Sequence, residues 1–185
     1  MSNRQEMEEG DVFLIRLDSN VWTVAQLCNM FSKSFRYSQY TFAFFNYKFA
    51  SAGEAAEKAK SDAALDFKWP IAIFTINGHP LKRHGLKFLA NRDIAYENAP
   101  NFKKDISSLF GMYKNTSYDF PDILKAFFGI LPWDCFYKDD YIDKILLKDA
   151  QKRDDVKYMK DFSIDELKRL LPPDSLKLNK LLGKH

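Results

Sequence analysis

Two hydrophobic runs near the N-terminus form the clearest pattern in the chain. Residues 12–17 read Val-Phe-Leu-Ile-Arg-Leu, and residues 21–27 read Val-Trp-Thr-Val-Ala-Gln-Leu. β-Branched and aromatic side chains favour strands, and the polar break at residues 18–20 is typical of a turn. We therefore predict a β-hairpin, and we expect it to begin a strongly bent, small-barrel-like antiparallel sheet.

Further strands and one inserted helix are predicted before residue 97. Residues 40–45 and 86–90 are rich in aromatic and aliphatic side chains, as strands are. Residues 69–76 are almost entirely apolar, which favours a central strand in which Pro70 falls at the start. Ser51 and Glu54 have the spacing of a capping box, which predicts a helix from there to about residue 65.

The pattern changes to helical spacing after about residue 98. Apolar residues recur at helical spacing in 122–131, which Pro132 ends, and again after Asp139-Asp140, which we expect to cap a second helix. Ser163 and Glu166 form another capping box, and a leucine-rich turn follows near the C-terminus. The predicted fold class is α+β, with a β-rich domain at 9–97 and a helical region at 98–185 that packs on the sheet.

Composition and charge are those of a globular protein in a reducing compartment. Of 185 residues 46% are hydrophobic, and the net charge of +3 is too balanced for the strongly basic face of most nucleic-acid binders. No apolar run approaches a membrane span, and the polar N-terminus has no signal-peptide core. We therefore predict a cytoplasmic protein in which Cys28 and Cys135, far apart and outside any CxxC pair, are reduced thiols.

The chain contains no recognisable catalytic constellation. There is no nucleophile elbow, zinc-protease helix motif, P-loop or dinucleotide-binding glycine pattern. His79 and His84 flank a predicted turn, but zinc needs a third protein ligand and none is close in sequence. We predict that the protein is not an enzyme, holds no cofactor or metal, and has no small-molecule substrate.

Acidic and aromatic residues are interleaved between residues 118 and 143. Aromatic anchors within a charged rim are typical of protein–protein hot spots, and clustered carboxylates complement a basic partner. The alternative is that the acids cap helices and the aromatic residues belong to the core. The residues predicted to bind a partner are Tyr118, Asp119, Asp122, Trp133, Asp134, Tyr137, Asp139, Asp140 and Asp143.

The N-terminal half resembles a known family of bacterial proteins. Residues 10–17, Gly-Asp-Val-Phe-Leu-Ile-Arg-Leu, precede a polar turn and the strand Trp-Thr-Val-Ala-Gln-Leu at 22–27. This order is similar to the opening of the immunity protein 26 family, Gly-Asp-[Val/Ile]-Phe-x-Ile-Pro-Leu followed by a turn and an aromatic-x-x-Gly-x-[Val/Ile] strand. Residues 69–74 and 86–89 resemble the second block of that family, so the resemblance covers about residues 9–94.

The resemblance implies a cytosolic, non-catalytic inhibitor. The family is associated with polymorphic toxins and contact-dependent inhibition, so the expected partner is the C-terminal domain of a cognate toxin, whose active site the protein blocks. If that toxin is a nuclease, its cleft is basic, and the acidic aromatic segment would fill it.

The alternative function is that of a small nucleic-acid-binding barrel. In this alternative, Trp22, Tyr40 and Phe42 would stack on bases. The near-neutral net charge of the chain argues against nucleic-acid binding. Such binding would weaken steeply with salt. The phosphate contacts would come from the basic residues Lys33, Arg36, Lys82, Arg83 and Lys87.

Overall fold

A computed structural model describes residues 7–32, 38–60, 65–77, 85–96 and 120–183. The chain divides into two compact units. The sheet unit contains the described residues up to 96 together with Leu147–Ala150, and the helical unit contains residues 120–146 and 151–183. The presence of an antiparallel sheet and separate helices confirms the predicted α+β class.

The sheet unit is built on an open antiparallel sheet of five strands. In chain order they are β1 (Asp11–Asp18), β2 (Val21–Ser32), β3 (Ser38–Phe45), β4 (Pro70–Asn77) and β5 (Lys87–Asn91). β1 and β2 form the predicted hairpin, with Arg16 opposite Trp22 and Val12 opposite Gln26. Neighbouring strands follow the order β4-β3-β2-β1-β5.

The barrel-like form expected for the sheet is wrong, because the sheet is not closed into a barrel. β4 and β5 are the two edges of the sheet and do not pair with each other. Register shifts occur in the pairings of β1 with β2 and of β2 with β3, and such bulges increase local twist. A barrel requires its edge strands to pair as well, and twist alone does not supply that pairing.

The expectation that the apolar strand at residues 69–76 is central is also wrong, because β4 lies at an edge. Its residues 71–74 are nevertheless all buried. The apolar run therefore indicates that both faces of the strand are buried, and it does not indicate where the strand lies in the sheet. The backbone amide of Leu147 donates to the Ile71 carbonyl at 2.9 Å, which covers part of this edge. A covered edge is protected from pairing with another chain.

One face of the sheet packs against α1 (Ala52–Lys60). Ala55 and Ala59 are buried in this core, where their small side chains let the helix lie close to the strands. The predicted capping box is confirmed in part. Ser51 Oγ accepts from the Glu54 amide at 3.1 Å, but Glu54 Oε2 accepts at 2.8 Å from the amide of Ala50, one residue before the N-cap, and not from that of Ser51. The buried residues of this core are Val12, Leu14, Val24, Cys28, Ala43, Phe45, Phe49, Ala55, Ala59, Leu65, Phe67 and Ile73.

The helical unit is made of short elements. They are α2 (Phe120–Phe127), α3 (Tyr141–Ile145), a 3₁₀ turn (Met159–Asp161), α4 (Ile164–Leu170) and α5 (Leu176–Leu181). The capping box before α4 is confirmed, because Ser163 Oγ accepts from the Glu166 amide at 3.3 Å and Glu166 Oε2 accepts from the Ser163 amide at 2.8 Å. No helix in the described ranges is both long and apolar enough to cross a membrane.

The first helix of this unit ends earlier than the predicted residue 131. Gly129 has φ +72°, and the Ile130 amide donates back to the Lys125 carbonyl at 2.8 Å. A glycine in this left-handed conformation ends a helix and satisfies its last carbonyls. Gly129 therefore ends the helical segment before Pro132 is reached.

Candidate protein-interaction site

Trp133 lies in the core of the helical unit. Its side chain is fully buried, and the centre of its ring lies 6.4 Å from that of Phe127. The indole Nε1 donates to Asp143 Oδ2 at 3.0 Å, and Lys152 Nζ lies 3.8 Å from the centre of the ring. The predicted role of Trp133 as a partner contact is therefore corrected, because a fully buried indole has no surface to offer.

Two of the predicted carboxylates hold the helical unit together. Asp143 accepts from Trp133, and its other oxygen lies 3.5 Å from Lys152 Nζ. Asp134 Oδ1 accepts from the backbone amide of Met159 at 2.7 Å, and the Asp134 carbonyl accepts from Lys177. Both acids are thus tied to segments distant in sequence, as structural carboxylates are.

The other described acids of the predicted set are paired with lysines. Asp122 lies 3.0 Å from Lys125 Nζ, and Asp139 pairs with Lys177. Asp140 lies 2.5 Å from Lys144 Nζ, and this hydrogen bond lowers the pKa of the aspartate below its usual value. The acidic segment is therefore a surface of mixed charge.

The expected side-chain cap at Asp140 is wrong. Asp140 occupies the N-cap position of α3, but its carboxylate makes no hydrogen bond to the helix backbone. The pair with Lys144, one turn further along, uses the carboxylate instead. The Asp139-Asp140 pair in the sequence predicted a bond to the helix backbone, but the Asp140 carboxylate pairs with the lysine four residues further along the helix.

Several predicted residues lie outside the described ranges. They are Lys33, Arg36, His79, Lys82, Arg83, His84, Tyr118 and Asp119. Among the residues that the structure does describe, no three or more His, Cys, Asp or Glu side chains come together as a metal site would require.

A cavity of about 300 Å³ borders Tyr137, hereafter the Tyr137 cavity. The ring of Tyr137 is 55% exposed and packs edge-on against Tyr141, with 5.0 Å between the ring centres. The charged residues at the cavity are Asp122, Lys125, Asp174 and Lys177. Its apolar lining comes from Leu131, Phe136, Leu170, Leu171, Pro172 and Leu176.

Two exposed leucines of this cavity were missed by the sequence analysis. Leu176 is 80% exposed and Leu170 is 36% exposed. The spacing of the leucines indicated that not all of them could be buried, because helical residues two positions apart do not share a face. Leu178 is the buried residue of α5, so Leu176 lies off the buried face. The leucine-rich segment therefore had to leave at least one leucine outside its buried face.

Cys135 also lines the Tyr137 cavity. Burial is the main cause that raises the pKa of its thiol to about 12, and the negative charges of Asp134 and Asp122 add to the effect. The thiolate is the reactive form of cysteine, and a raised pKa disfavours that form at neutral pH. At this position the thiol adds to the lining of the cavity.

The aromatic residues proposed for base stacking are only partly accessible. Tyr40 and Phe42 are buried in the sheet unit, while Trp22 is partly buried. The ring of Phe42 packs against Phe13 and Phe44, with 5.9 Å and 6.4 Å between the ring centres. Tyr40 and Phe42 therefore belong to the core and offer no stacking face.

Comparison of the chain with protein-family models, with curated proteins and with solved structures finds no match.

Proposed function

We propose that the protein is a non-catalytic inhibitor that binds a toxin domain through the Tyr137 cavity and acts in the cytoplasm. The observation that carries the proposal is the grouping of Tyr137, Leu170 and Leu176, all exposed, around one apolar cavity. Exposed apolar groups that surround a concave surface and are rimmed by polar residues are characteristic of protein-docking sites.

The composition of the cavity fits a protein partner. Tyr137 is a large, rigid side chain that an incoming surface can bury at low cost in conformational entropy. Leu176 supplies further exposed apolar contact area, and the buried Phe136 and Leu171 also line the cavity. A partner side chain inserted here would be shielded from water, which is the condition for a binding hot spot.

The charged rim contributes orientation more than affinity. Lys125 and Lys177 are already paired with aspartates, so the rim carries both signs at short spacing. Exposed ion pairs add little net energy, but they disfavour partners of the wrong charge pattern. The proposal therefore assigns affinity to the apolar side chains and selectivity to the rim.

The identity of the partner rests on the resemblance of residues 9–94 to toxin-immunity proteins. An inhibitor of this kind needs a stable scaffold and an apolar docking surface, and it needs no catalytic group. The protein encoded immediately upstream is the natural candidate for the toxin, with its C-terminal domain as the segment that is bound.

Co-expression with that domain tests the proposed function. We expect a one-to-one complex on size-exclusion chromatography, and we expect co-expression to restore growth of cells that produce the domain. A toxic domain that neither co-purifies with this chain nor is neutralised by it would overturn the proposal.

Matched variants test the proposed site within the same assay. Tyr137→Ala and Leu176→Ala together should weaken binding by about 30-fold or more, as expected for hot-spot residues. Leu181→Ala is the control, because Leu181 is exposed on the same helix but does not line the cavity. Equal binding by wild type and by the double variant, with thermal unfolding unchanged, would exclude the Tyr137 cavity.

A further inference from the structure

Three side chains from adjacent strands meet on one face of the sheet. Arg16 of β1 lies opposite Trp22 of β2, and Lys87 of β5 lies opposite Leu14, which shares a face with Arg16. Arg16 Cζ and Lys87 Nζ each lie 5.6 Å from the centre of the Trp22 ring. We refer to these three residues as the Arg-Trp-Lys cluster.

Neither cation of the cluster has a carboxylate partner among the described residues. Arg16 Nε donates to the backbone carbonyl of Asp18 at 3.2 Å, and the Asp18 carboxylate accepts from the Ser19 amide at 2.7 Å. Both Arg16 and Lys87 are exposed. Two like charges thus lie near one ring, and an anion at this surface would be attracted by both.

Trp22 positions the two cations before any ligand binds. A cation within about 6 Å of a tryptophan ring centre is attracted by the ring, and this attraction restricts a long side chain that would otherwise sample many rotamers. Trp22 is itself fixed by backbone hydrogen bonds in both directions with Phe49, each of 2.9 Å. The Trp22 side chain is also partly buried against the core of the sheet unit, which anchors the cluster to the sheet.

We propose that the Arg-Trp-Lys cluster binds a carboxylate-rich segment of another protein. The planar guanidinium of Arg16 presents paired donors that match a carboxylate, and the ammonium of Lys87 adds a second positive charge at the same ring. This inference goes beyond the proposed function, because it concerns the sheet unit and not the Tyr137 cavity.

A nucleic-acid strand fits this cluster less well. Single-strand binding depends on aromatic faces on which bases stack, and here both cations lie over the ring of Trp22. Tyr40 and Phe42 are buried and offer no further stacking surface. An anionic group that needs only the two cations therefore suits the cluster better than a base does.

Titration of the full chain with a hexaglutamate peptide tests the inference. The readout is the NMR signal of the Trp22 indole N–H, which a Trp22→Phe variant identifies. We expect this signal to shift, and we expect Arg16→Gln with Lys87→Gln to weaken peptide binding by about tenfold or more, as loss of charge-assisted hydrogen bonds would.

The control variant combines Lys58→Gln with Lys68→Gln, two exposed lysines of the same unit. It removes the same charge but leaves the cluster intact, so it should bind the peptide as the wild type does. Equal weakening in both double variants would show a general charge effect and overturn the proposal. Tighter binding of an oligothymidylate than of the peptide at the Trp22 signal would overturn it as well, in favour of nucleic acid.

Discussion

The charged residues considered for partner binding differ between the helical unit and the sheet unit in whether they have partners of opposite charge. In the helical unit, Asp134 and Asp143 bind groups distant in sequence, and Asp122, Asp139 and Asp140 pair with lysines. In the sheet unit, Arg16 and Lys87 stand at the surface with no carboxylate partner among the described residues.

This difference follows from how each unit is held together. The sheet satisfies most of its backbone through the ladder, and both of its faces carry buried apolar residues such as Leu14 and Ile15. Its stability therefore does not depend on pairing the surface charges of Arg16 and Lys87. Short helices leave many terminal backbone groups without partners, and α3 and α5 have only five and six residues. Carboxylates and lysines in such a unit therefore form hydrogen bonds and ion pairs within the unit. A cluster of charges in the sequence is therefore a weaker sign of an interface than an unpaired charge in the structure.

Replacing a large, fully buried ring in each unit should have the largest effect. Trp133→Ala and Phe44→Ala should each lower the free energy of unfolding by about 3–5 kcal/mol, measured by urea denaturation. The more conservative changes Phe44→Leu and Trp133→Phe should differ in their effect on the free energy of unfolding. Phe44→Leu should cost less than about 1.5 kcal/mol, whereas Trp133→Phe should cost more because it also removes the donor to Asp143. Equal costs for the two conservative changes would contradict a special role for polar contacts in the helical unit.

Glycines with positive φ should come next. A Cβ on Gly10 would lie 2.6 Å from the Arg92 carbonyl oxygen, and a Cβ on Gly129 would lie 2.5 Å from that of Asp155. Gly10→Ala and Gly129→Ala should therefore each cost about 2–4 kcal/mol, from left-handed strain together with overpacking.

The matched controls are Gly85→Ala and Gly183→Ala, where φ is also positive but no atom lies within 4 Å of the added carbon. Each should cost about 1–2 kcal/mol from backbone strain alone. The comparison is between Gly10→Ala and Gly85→Ala in the sheet unit, and between Gly129→Ala and Gly183→Ala in the helical unit. Equal losses of unfolding free energy within a pair would show that close approach of the backbone does not contribute in that unit.

Removal of the Asp143 carboxylate should have a smaller effect. Asp143→Ala leaves the buried Trp133 Nε1 without its acceptor and should cost about 1–3 kcal/mol. Asp143→Asn retains an oxygen at the same place and should recover most of that loss. No difference between the two variants in urea denaturation would show that this hydrogen bond does not hold the helical unit.

The pH dependence of the sheet unit should show the smallest effect. Burial raises the pKa of the Cys28 thiol from its ordinary value of 9.0 to about 12. Between these values the unfolded chain loses the thiol proton and the folded chain keeps it, so stability falls as pH rises through this window.

The expected loss from Cys28 is about 1 kcal/mol between about pH 9 and pH 10. The measurement is the difference between wild type and Cys28→Ala, which cancels the titration of lysines and tyrosines. Curves that stay parallel over this window would contradict burial of the thiol.

Much of the fold was predictable because it rests on local signals. The hydrophobic run at residues 12–17, the turn after it and the capping hydrogen bonds of Ser51 and Ser163 all depend on residues close together in sequence. The position of β4 at an edge was not predictable, because an apolar run reports burial and not neighbours.

The candidate site was less predictable than the fold. Tyr137 emerged from the acidic aromatic segment, but Trp133 in the same segment is buried, and the sequence pattern does not separate exposed from buried aromatic residues. The lysines that pair with Asp139 and Asp143 lie 38 and 9 residues away along the chain. Only the fold brings such partners together. The sequence of the acidic segment alone could therefore not show that these aspartates are paired with lysines.

The most direct test of the central claim compares apolar with acidic residues of the helical unit in binding the toxin domain. Calorimetric titration of two double variants provides it: Tyr137→Ala with Leu176→Ala, and Asp139→Asn with Asp140→Asn. We predict that the first raises Kd by about 30-fold or more. The second should change Kd by less than about threefold, because these exposed acids are already paired. A large loss for the acidic pair with little change for the apolar pair would contradict the account.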